Sequence, residues 1–280
     1  MIIWLASYPK SGNTWIRSLL AAYLFSKNGK FNFELLKNIG QFPSSNYFEH
    51  YNEPFLDPTD TAKYWIKEQE KINSDNKVRF FKTHNALCNF NGNSFTNNKN
   101  TLGVIYIIRD PRNVITSLSN HYEISLEAAF EFMTEKKKAI YEKVGKNYLG
   151  FNPLFSWKLH LKSWADNILY PTLIVRYEDL EIKTFNTLKR VINFISTISK
   201  SKEKFISEKA LSSVRSCEFD KLKKLENQEG FSEAMTSKTN NKKINFFNLG
   251  KKNNYKNLLN QDLINKLNLE FQNEIKKYDY

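Results

Sequence analysis

Ile2-Ile3-Trp4-Leu5-Ala6-Ser7, then Tyr8-Pro9-Lys10-Ser11-Gly12-Asn13-Thr14-Trp15, then Ile16-Arg17-Ser18-Leu19-Leu20-Ala21-Ala22-Tyr23, is the stretch whose reading decides the fold. The first six residues form a short apolar run that stops at a turn containing Pro9 and Gly12, the pattern of a buried strand. Trp15, Leu19, Ala22 and Tyr23 then recur at helical spacing, which predicts a helix over Thr14–Ser26. A tight loop between a strand and a helix N-terminus is an anion site, because backbone N–H groups point outward and the helix dipole favours negative charge. Gly12 lets the backbone come close to a phosphate, Lys10 adds a mobile positive charge, and Ser11 and Thr14 add hydroxyl donors. The lysine precedes the glycine, so the spacing is not that of the G-x-x-x-x-G-K-[ST] loop. No carboxylate stands at a strand end for magnesium, and no metal is expected.

Three further segments repeat the strand-then-helix pattern. Val78–Lys82 is a strand candidate. Gly103–Ile108 is apolar throughout and runs into Arg109-Asp110-Pro111-Arg112, with Pro111 suited to the first turn of a helix over Asn113–His121. Pro171–Arg176 precedes a helix around Thr184–Ile198. Apolar strands alternating with helices predict an α/β fold, a central parallel sheet flanked by helices on both faces, with ligands at the carboxyl ends of the strands. Phe31–Asp75 and Ser125–Phe155 read as insertions of helices and loops. Asn89–Asn100 reads as a solvated loop, and Gln228–Lys243 as a mobile loop over the site.

The chain has 280 residues, 41% hydrophobic and 15% aromatic, enough for a sizeable core and a single domain over residues 1–280. A net charge of +13 raises nucleic acid, anionic membranes and phosphorylated small molecules as partners. No basic strand interleaved with aromatics suggests a nucleic-acid platform, and most of the lysines are read as solvated surface. Cys88 and Cys217 lie far apart, without metal-ligand spacing, and read as reduced buried thiols. The apolar start is too short for a signal peptide or a membrane span, so a cytoplasmic enzyme without stable membrane insertion is expected.

Tyr8–Trp15 resembles the 5′-phosphosulfate loop of the sulfotransferases that use 3′-phosphoadenosine 5′-phosphosulfate (PAPS), Y/F-P-K-S-G-T-T-W, with Asn13 in place of the first threonine. The resemblance implies a three-layer P-loop-like fold and transfer of a sulfuryl group from PAPS to an acceptor, releasing adenosine 3′,5′-bisphosphate. It implies that Lys10 stabilises the bridging oxygen, that Ser11, Gly12, Asn13 and Thr14 hold the 5′-phosphate, and that Trp15 stacks on the adenine.

The other strand ends extend the resemblance. In Phe80-Phe81-Lys82-Thr83-His84, alternation sends Lys82 and His84 to one face, where a base and a positive charge suit sulfuryl transfer to a hydroxyl. This segment is similar to the family's K-T-H, whose histidine is the catalytic base. Arg109 offers a planar fork to a phosphate and Ser117 lies two helical turns on. The spacing resembles the family's R-[DN]-P-[RK]-[DN]-x-x-x-S at the 3′-phosphate, against the plain alternative of an exposed Arg109 capped by Asp110. Tyr177 in Tyr177-Glu178-Asp179-Leu180 resembles the adenine-contacting tyrosine, and Phe219 the second adenine wall. Gly250-Lys251-Lys252 resembles part of R-K-G-x-x-G-D-W-K, but Asn248 and Leu249 replace the Arg-Lys pair. Gly250 is retained, and Lys251 or Lys252 is the candidate for the missing charge. Asn260, Gln261 and Asn265 do not match the family's dimerisation segment, so the oligomeric state stays open. Trp157, His160 and Trp164 read as structural.

Two rivals remain at this level: a small-molecule kinase of P-loop type, and a non-catalytic nucleotide- or nucleic-acid-binding protein. The acceptor is expected to be a small molecule with a hydroxyl or amine. Phe42, Tyr47, Phe48, Tyr51 and Phe55 fit either an acceptor pocket or the core.

Overall fold

The structure, a computed structural model, describes residues 1–237 and 239–280. Nine strands lie among the described residues, in chain order β1 (Ile2–Ser7), β2 (Ile39–Gln41), β3 (Arg79–Thr83), β4 (Asn89–Phe90), β5 (Asn93–Ser94), β6 (Thr101–Ile108), β7 (Ala139–Val144), β8 (Asn147–Pro153) and β9 (Thr172–Arg176). Five form the central sheet in the order β2-β3-β1-β6-β9, and all its pairings are parallel. The carboxyl ends therefore share one edge, with Ala6 paired to Thr83, Ser7 to Ile107 and Ile108 to Arg176.

Alternation along the buried strands builds the two apolar layers. Trp4, Ala6, Val104 and Tyr106 enter one core with Trp157 and Trp164. Ile3, Leu5, Ile105 and Ile107 enter the other with Leu19, Leu20 and Val191. The helix α1 (Asn13–Phe25) begins one residue before the expected Thr14. The helices Pro111–Tyr122 and Tyr177–Ser199 follow β6 and β9, the second kinked at Lys183. The expected α/β architecture, a parallel sheet between helical layers, is what forms.

Several local expectations change. The edge strand β2 has too few residues to show a period. The insertion Ser125–Phe155 carries the antiparallel hairpin β7–β8, not only helices and loops. Asn89–Asn100 is not simply a solvated loop, for it holds the hairpin β4–β5 and then buries Phe95, Thr96 and Asn100. Its asparagines close the turn that Gly92 (φ 82°) allows, while Phe95 packs on Trp4. Phe42, Phe48 and Phe55 are core residues, with Tyr47 and Tyr51 packed partly buried against them. Cys217 is buried, Cys88 is half-buried, and both are free thiols.

Candidate active site

The carboxyl edge of the sheet opens onto a cavity of about 460 Å³ lined by residues that follow β1, β3, β6 and β9. In the first of these connections, Lys10 (φ 66°) and Gly12 (φ 98°) both take the left-handed conformation. Gly12 caps α1 with no side-chain hydrogen bond closing the helix end, so the opening turn faces the cavity with its N–H groups. A Cβ on Gly12 would stand 2.4 Å from Cδ2 of Tyr177, which is why only glycine fits beneath that ring. The same ring carries the Arg109 guanidinium 4.0 Å from its centroid, and Arg109 donates from Nη1 to the Lys10 carbonyl at 3.3 Å. Tyr177 thereby joins the first loop to the third.

Trp15 lines the cavity with its indole N–H donated to the Cys217 carbonyl at 2.9 Å and its ring 5.6 Å from that of Tyr177. Asn13 behaves differently from a simple phosphate donor. Its side-chain amide donates to the Leu5 carbonyl at 2.8 Å and to Ser7 Oγ at 3.2 Å, tying the start of α1 back to β1. Ser11 is buried beneath the loop, with an Oγ that has no protein partner.

Lys10 stands with Nζ 3.7 Å from the centroid of Phe246. Phe246 is placed by Glu226, whose carboxylate accepts the N–H groups of Phe246 and Phe247 at 2.6 and 2.9 Å. Burial brings the Lys10 ammonium down to about 7; Glu233 opposes that fall, while Lys82 and Arg109 add to it.

Lys82 and His84 point into the cavity together. His84 Nδ1 lies 2.7 Å from the Ser7 carbonyl. A carbonyl only accepts, so Nδ1 carries the proton and Nε2 keeps its lone pair. Burial, then the neighbouring Lys82, holds the imidazole well below its ordinary value and therefore neutral. His160 is fully buried, donates from Nε2 to the His84 carbonyl at 3.0 Å and accepts at Nδ1 from the Tyr106 hydroxyl at 2.8 Å. Trp164 donates to the Asn85 carbonyl at 2.9 Å. His160 and Trp164 thus fix the backbone beside His84, whereas Trp157 packs on Phe271.

Arg109 is buried and its Nε has no protein partner. Asp110 does not cap it: that carboxylate pairs with Arg112 at 2.8 Å, while Glu178 accepts the Asp110 N–H at 3.0 Å. Ser117 faces the same cavity. Phe219 lines it too, pressed on Gly250 (φ 55°), where a Cβ would come within 2.6 Å of the ring. Lys251 and Lys252 are exposed and do not line the cavity, because they lie on a 3-10 turn after Gly250 that faces outward. Gln41, Tyr122, Glu142 and Met235 also line the cavity, whereas none of Phe42, Tyr47, Phe48, Tyr51 or Phe55 does.

A model of the sulfotransferase domain matches residues 2–279. The chain belongs to that family. Curated relatives include cytosolic sulfotransferase 15 of Arabidopsis thaliana, 27% identical over 227 residues, covering 79% of this chain and 58% of that protein's length. Flavonol 3-sulfotransferase of Flaveria bidentis is 23% identical over 278 residues, covering 95% of this chain and 78% of the relative. Mouse sulfotransferase SULT7A1, solved in complex with PAP, superposes with a TM-score of 0.54 at 18% identity over 99% of this chain and 85% of that one. Retinol dehydratase, solved with retinol and PAP, superposes at 0.61 and 17% identity over 100% and 82%. At such identities these structures establish the fold.

Within this sulfotransferase fold the sequence reading missed four cavity or near-cavity groups. His121 lies one helical turn beyond Ser117, a signal that was available. Burial, then Lys10 and Lys82, takes its imidazole down to about 3. Arg17 lies three residues after Thr14, on the same helix face. Glu233 lies in Gln228–Lys243, the segment expected over the site, which does line the cavity, but neither Glu233 nor Phe246 is singled out by a local pattern, since they meet the first loop from more than two hundred residues away.

Proposed function

We propose that this sulfotransferase-family chain transfers the sulfuryl group of PAPS to a hydroxyl or amine of a small-molecule acceptor. The observation that carries this reading is the clustering, around one cavity, of Lys10, Lys82 and His84 with a further cation, Arg109, on the loop after β6. Two anion sites suit a nucleotide phosphorylated at both ends of its ribose. The residues fit such a donor: Arg109, in the cavity wall, has a buried Nε without a protein partner, and the opening turn of α1 has no capping side chain, while Ser11 Oγ, also unpartnered, lies beneath the loop and outside the cavity lining.

Lys10, Ser11, Gly12, Asn13 and Thr14 would hold the 5′ end, with Asn13 and Thr14 acting through their backbone because their side chains bond Leu5, Ser7 and Glu233. Trp15, Tyr177 and Phe219 would bound the adenine. Arg109 and Ser117, with Gly250 permitting close approach, would hold the 3′-phosphate. Lys251 and Lys252 could join them only by turning in from the surface. PAPS supplies an activated sulfur bonded to a phosphate leaving group. His84 Nε2 takes the acceptor proton as the new bond to sulfur forms. Lys10 faces the charge released on the 5′-phosphate as the old bond breaks, and Lys82 faces the sulfuryl oxygens. Catalysis is then positioning and charge stabilisation, as in phosphoryl transfer.

We also read residues 1–280 as one domain and the chain as a cytoplasmic protein. The family match over residues 2–279 and the cytosolic relatives support this, and no described helix is long and apolar enough to cross a membrane. The test is thermal stabilisation by adenosine 3′,5′-bisphosphate against AMP and ATP, followed by labelled PAPS with a panel of phenols, alcohols and amines. Selective stabilisation by the 3′-phosphorylated nucleotide and label transfer are expected. Equal stabilisation by all three nucleotides would overturn the reading.

A further inference from the structure

Glu233 belongs to none of the motifs above, yet it is the most heavily engaged acidic side chain in the cavity. Its Oε1 accepts from Arg17 at 2.6 Å, and its Oε2 accepts from Lys82 at 3.0 Å and from the Thr14 hydroxyl at 3.2 Å. The three partners come from two elements, α1 and β3, and the carboxylate bridges them. Arg17 and Lys82 are only 5% and 9% exposed at their side chains, against 21% for Glu233, so the cluster is largely shielded from water.

We infer that Glu233 is a positioning residue for sulfuryl transfer: its carboxylate, anchored on Arg17 and on the Thr14 hydroxyl at the start of α1, aims Lys82 at the 5′ end of the donor and keeps Lys82 charged. The inference rests on the donor reading above. Two arrangements could place a carboxylate among phosphate-binding groups, a built-in bracket or a removable stand-in for the ligand, and the surroundings favour the bracket. Arg17 does not line the cavity, so Glu233 is held from the scaffold side. The segment bearing it is fastened at both ends, with Phe231 and Ala234 in the core on one side and Glu226 gripping Phe246 and Phe247 on the other. The charge count agrees: two cations against one carboxylate leave one net positive charge, on the Lys82 side, for the anionic donor.

A buried ammonium without a partner loses its proton easily. Burial lowers Lys82, Glu233 opposes this, and Arg17 adds to the lowering. The other charged or titratable groups facing Lys82 are His84 just past the end of its strand, Lys10 on the first loop and His121 on the helix after β6. Both histidines are held neutral there. Glu233 also supports the charge on Lys10, so removing it lowers both lysines, whereas removing Arg17 relieves Lys82.

The experiment is calorimetric titration of adenosine 3′,5′-bisphosphate from pH 6 to pH 10 into the full-length wild type, Glu233→Gln and Arg17→Met. Affinity falls on the alkaline side as the lysines deprotonate. The expected result is a fall that begins at lower pH in Glu233→Gln, and at the same or higher pH in Arg17→Met. Should Glu233→Gln not fold, an unshifted or upward-shifted limb in Arg17→Met supports the inference and a downward shift overturns it. A wild-type profile in Glu233→Gln, or tighter binding by it across the whole range as for a displaced plug, overturns the positioning role while leaving the donor reading intact. A wild type that does not bind the nucleotide at any pH overturns both.

Discussion

His160 donates from its buried Nε2 to the backbone carbonyl of His84 at 3.0 Å, so the imidazole that faces the cavity is held by a second imidazole that does not. Removing His160 leaves the His84 carbonyl and the Tyr106 hydroxyl without partners, each at a cost of about 1–3 kcal/mol, and opens a void beside Trp164. His160→Ala is therefore expected to lower the melting temperature by several degrees. It should also reduce kcat more than it weakens binding of adenosine 3′,5′-bisphosphate. Calorimetry and steady-state kinetics check the two effects.

His84→Ala should bind adenosine 3′,5′-bisphosphate like the wild type while losing roughly 100- to 10,000-fold in transfer rate, the range for a positioned general base. Because burial and Lys82 hold His84 well below its ordinary value, its neutral form persists into acid. The acid limb of the rate profile should accordingly fall well under pH 6.5. A limb centred on the ordinary histidine value would contradict the buried, lysine-flanked environment seen here.

Lys10 sits at about 7 and is partly neutral near neutral pH. An anion bound beside it favours the charged form and raises that value, so binding takes up a proton above pH 7 and affinity weakens as the pH rises. Titrations of adenosine 3′,5′-bisphosphate at pH 8 in buffers of different ionisation enthalpy should show net proton uptake. Lys10→Met should abolish that part of the uptake.

Gly12→Ala places a methyl 2.4 Å from the Tyr177 ring on a backbone at φ 98°. Left-handed strain costs about 1–3 kcal/mol for a residue other than glycine, and the ring must also move. Tyr177 supports Arg109, so the variant should lose nucleotide binding beyond what its fall in melting temperature explains. A paired measurement of stability and of adenosine 3′,5′-bisphosphate affinity separates the two.

Arg109→Ala should narrow the difference in affinity between adenosine 3′,5′-bisphosphate and AMP, since its buried guanidinium is the cation proposed for the 3′ end. The double change Lys251→Ala, Lys252→Ala should leave that difference nearly unchanged, because both side chains are exposed outside the cavity. A collapse of selectivity in the lysine pair alone would mean that the turn after Gly250 swings inward when the nucleotide binds.

Local chemistry made much of this legible in advance. The apolar runs of β1 and β6 announce a sheet buried on both faces, and the glycine in Tyr8–Trp15 announces a loop that approaches an anion. Those signals are legible because strand alternation, turn chemistry and helix spacing act between near neighbours. The short edge strand β2 and the hairpin β7–β8 escaped because few residues and tertiary pairing leave no clear period.

The sequence by itself determined the parallel sheet, the tight strand-to-helix loop of Tyr8–Trp15 and the lysine–histidine pair at the second strand end, since each depends on residues adjacent along the chain. Only the tertiary structure decided that the aromatic insertion residues are core, that Asp110 serves Arg112 and not Arg109, and that Lys251 and Lys252 face outward. It alone brought Glu233 onto Thr14, Arg17 and Lys82. That contact depends on a loop closing over the sheet edge from the far end of the chain, and the gain that holds it there, burial of Phe231 and Ala234 with pairing of a half-buried carboxylate to two buried cations, exists only once the whole fold is assembled.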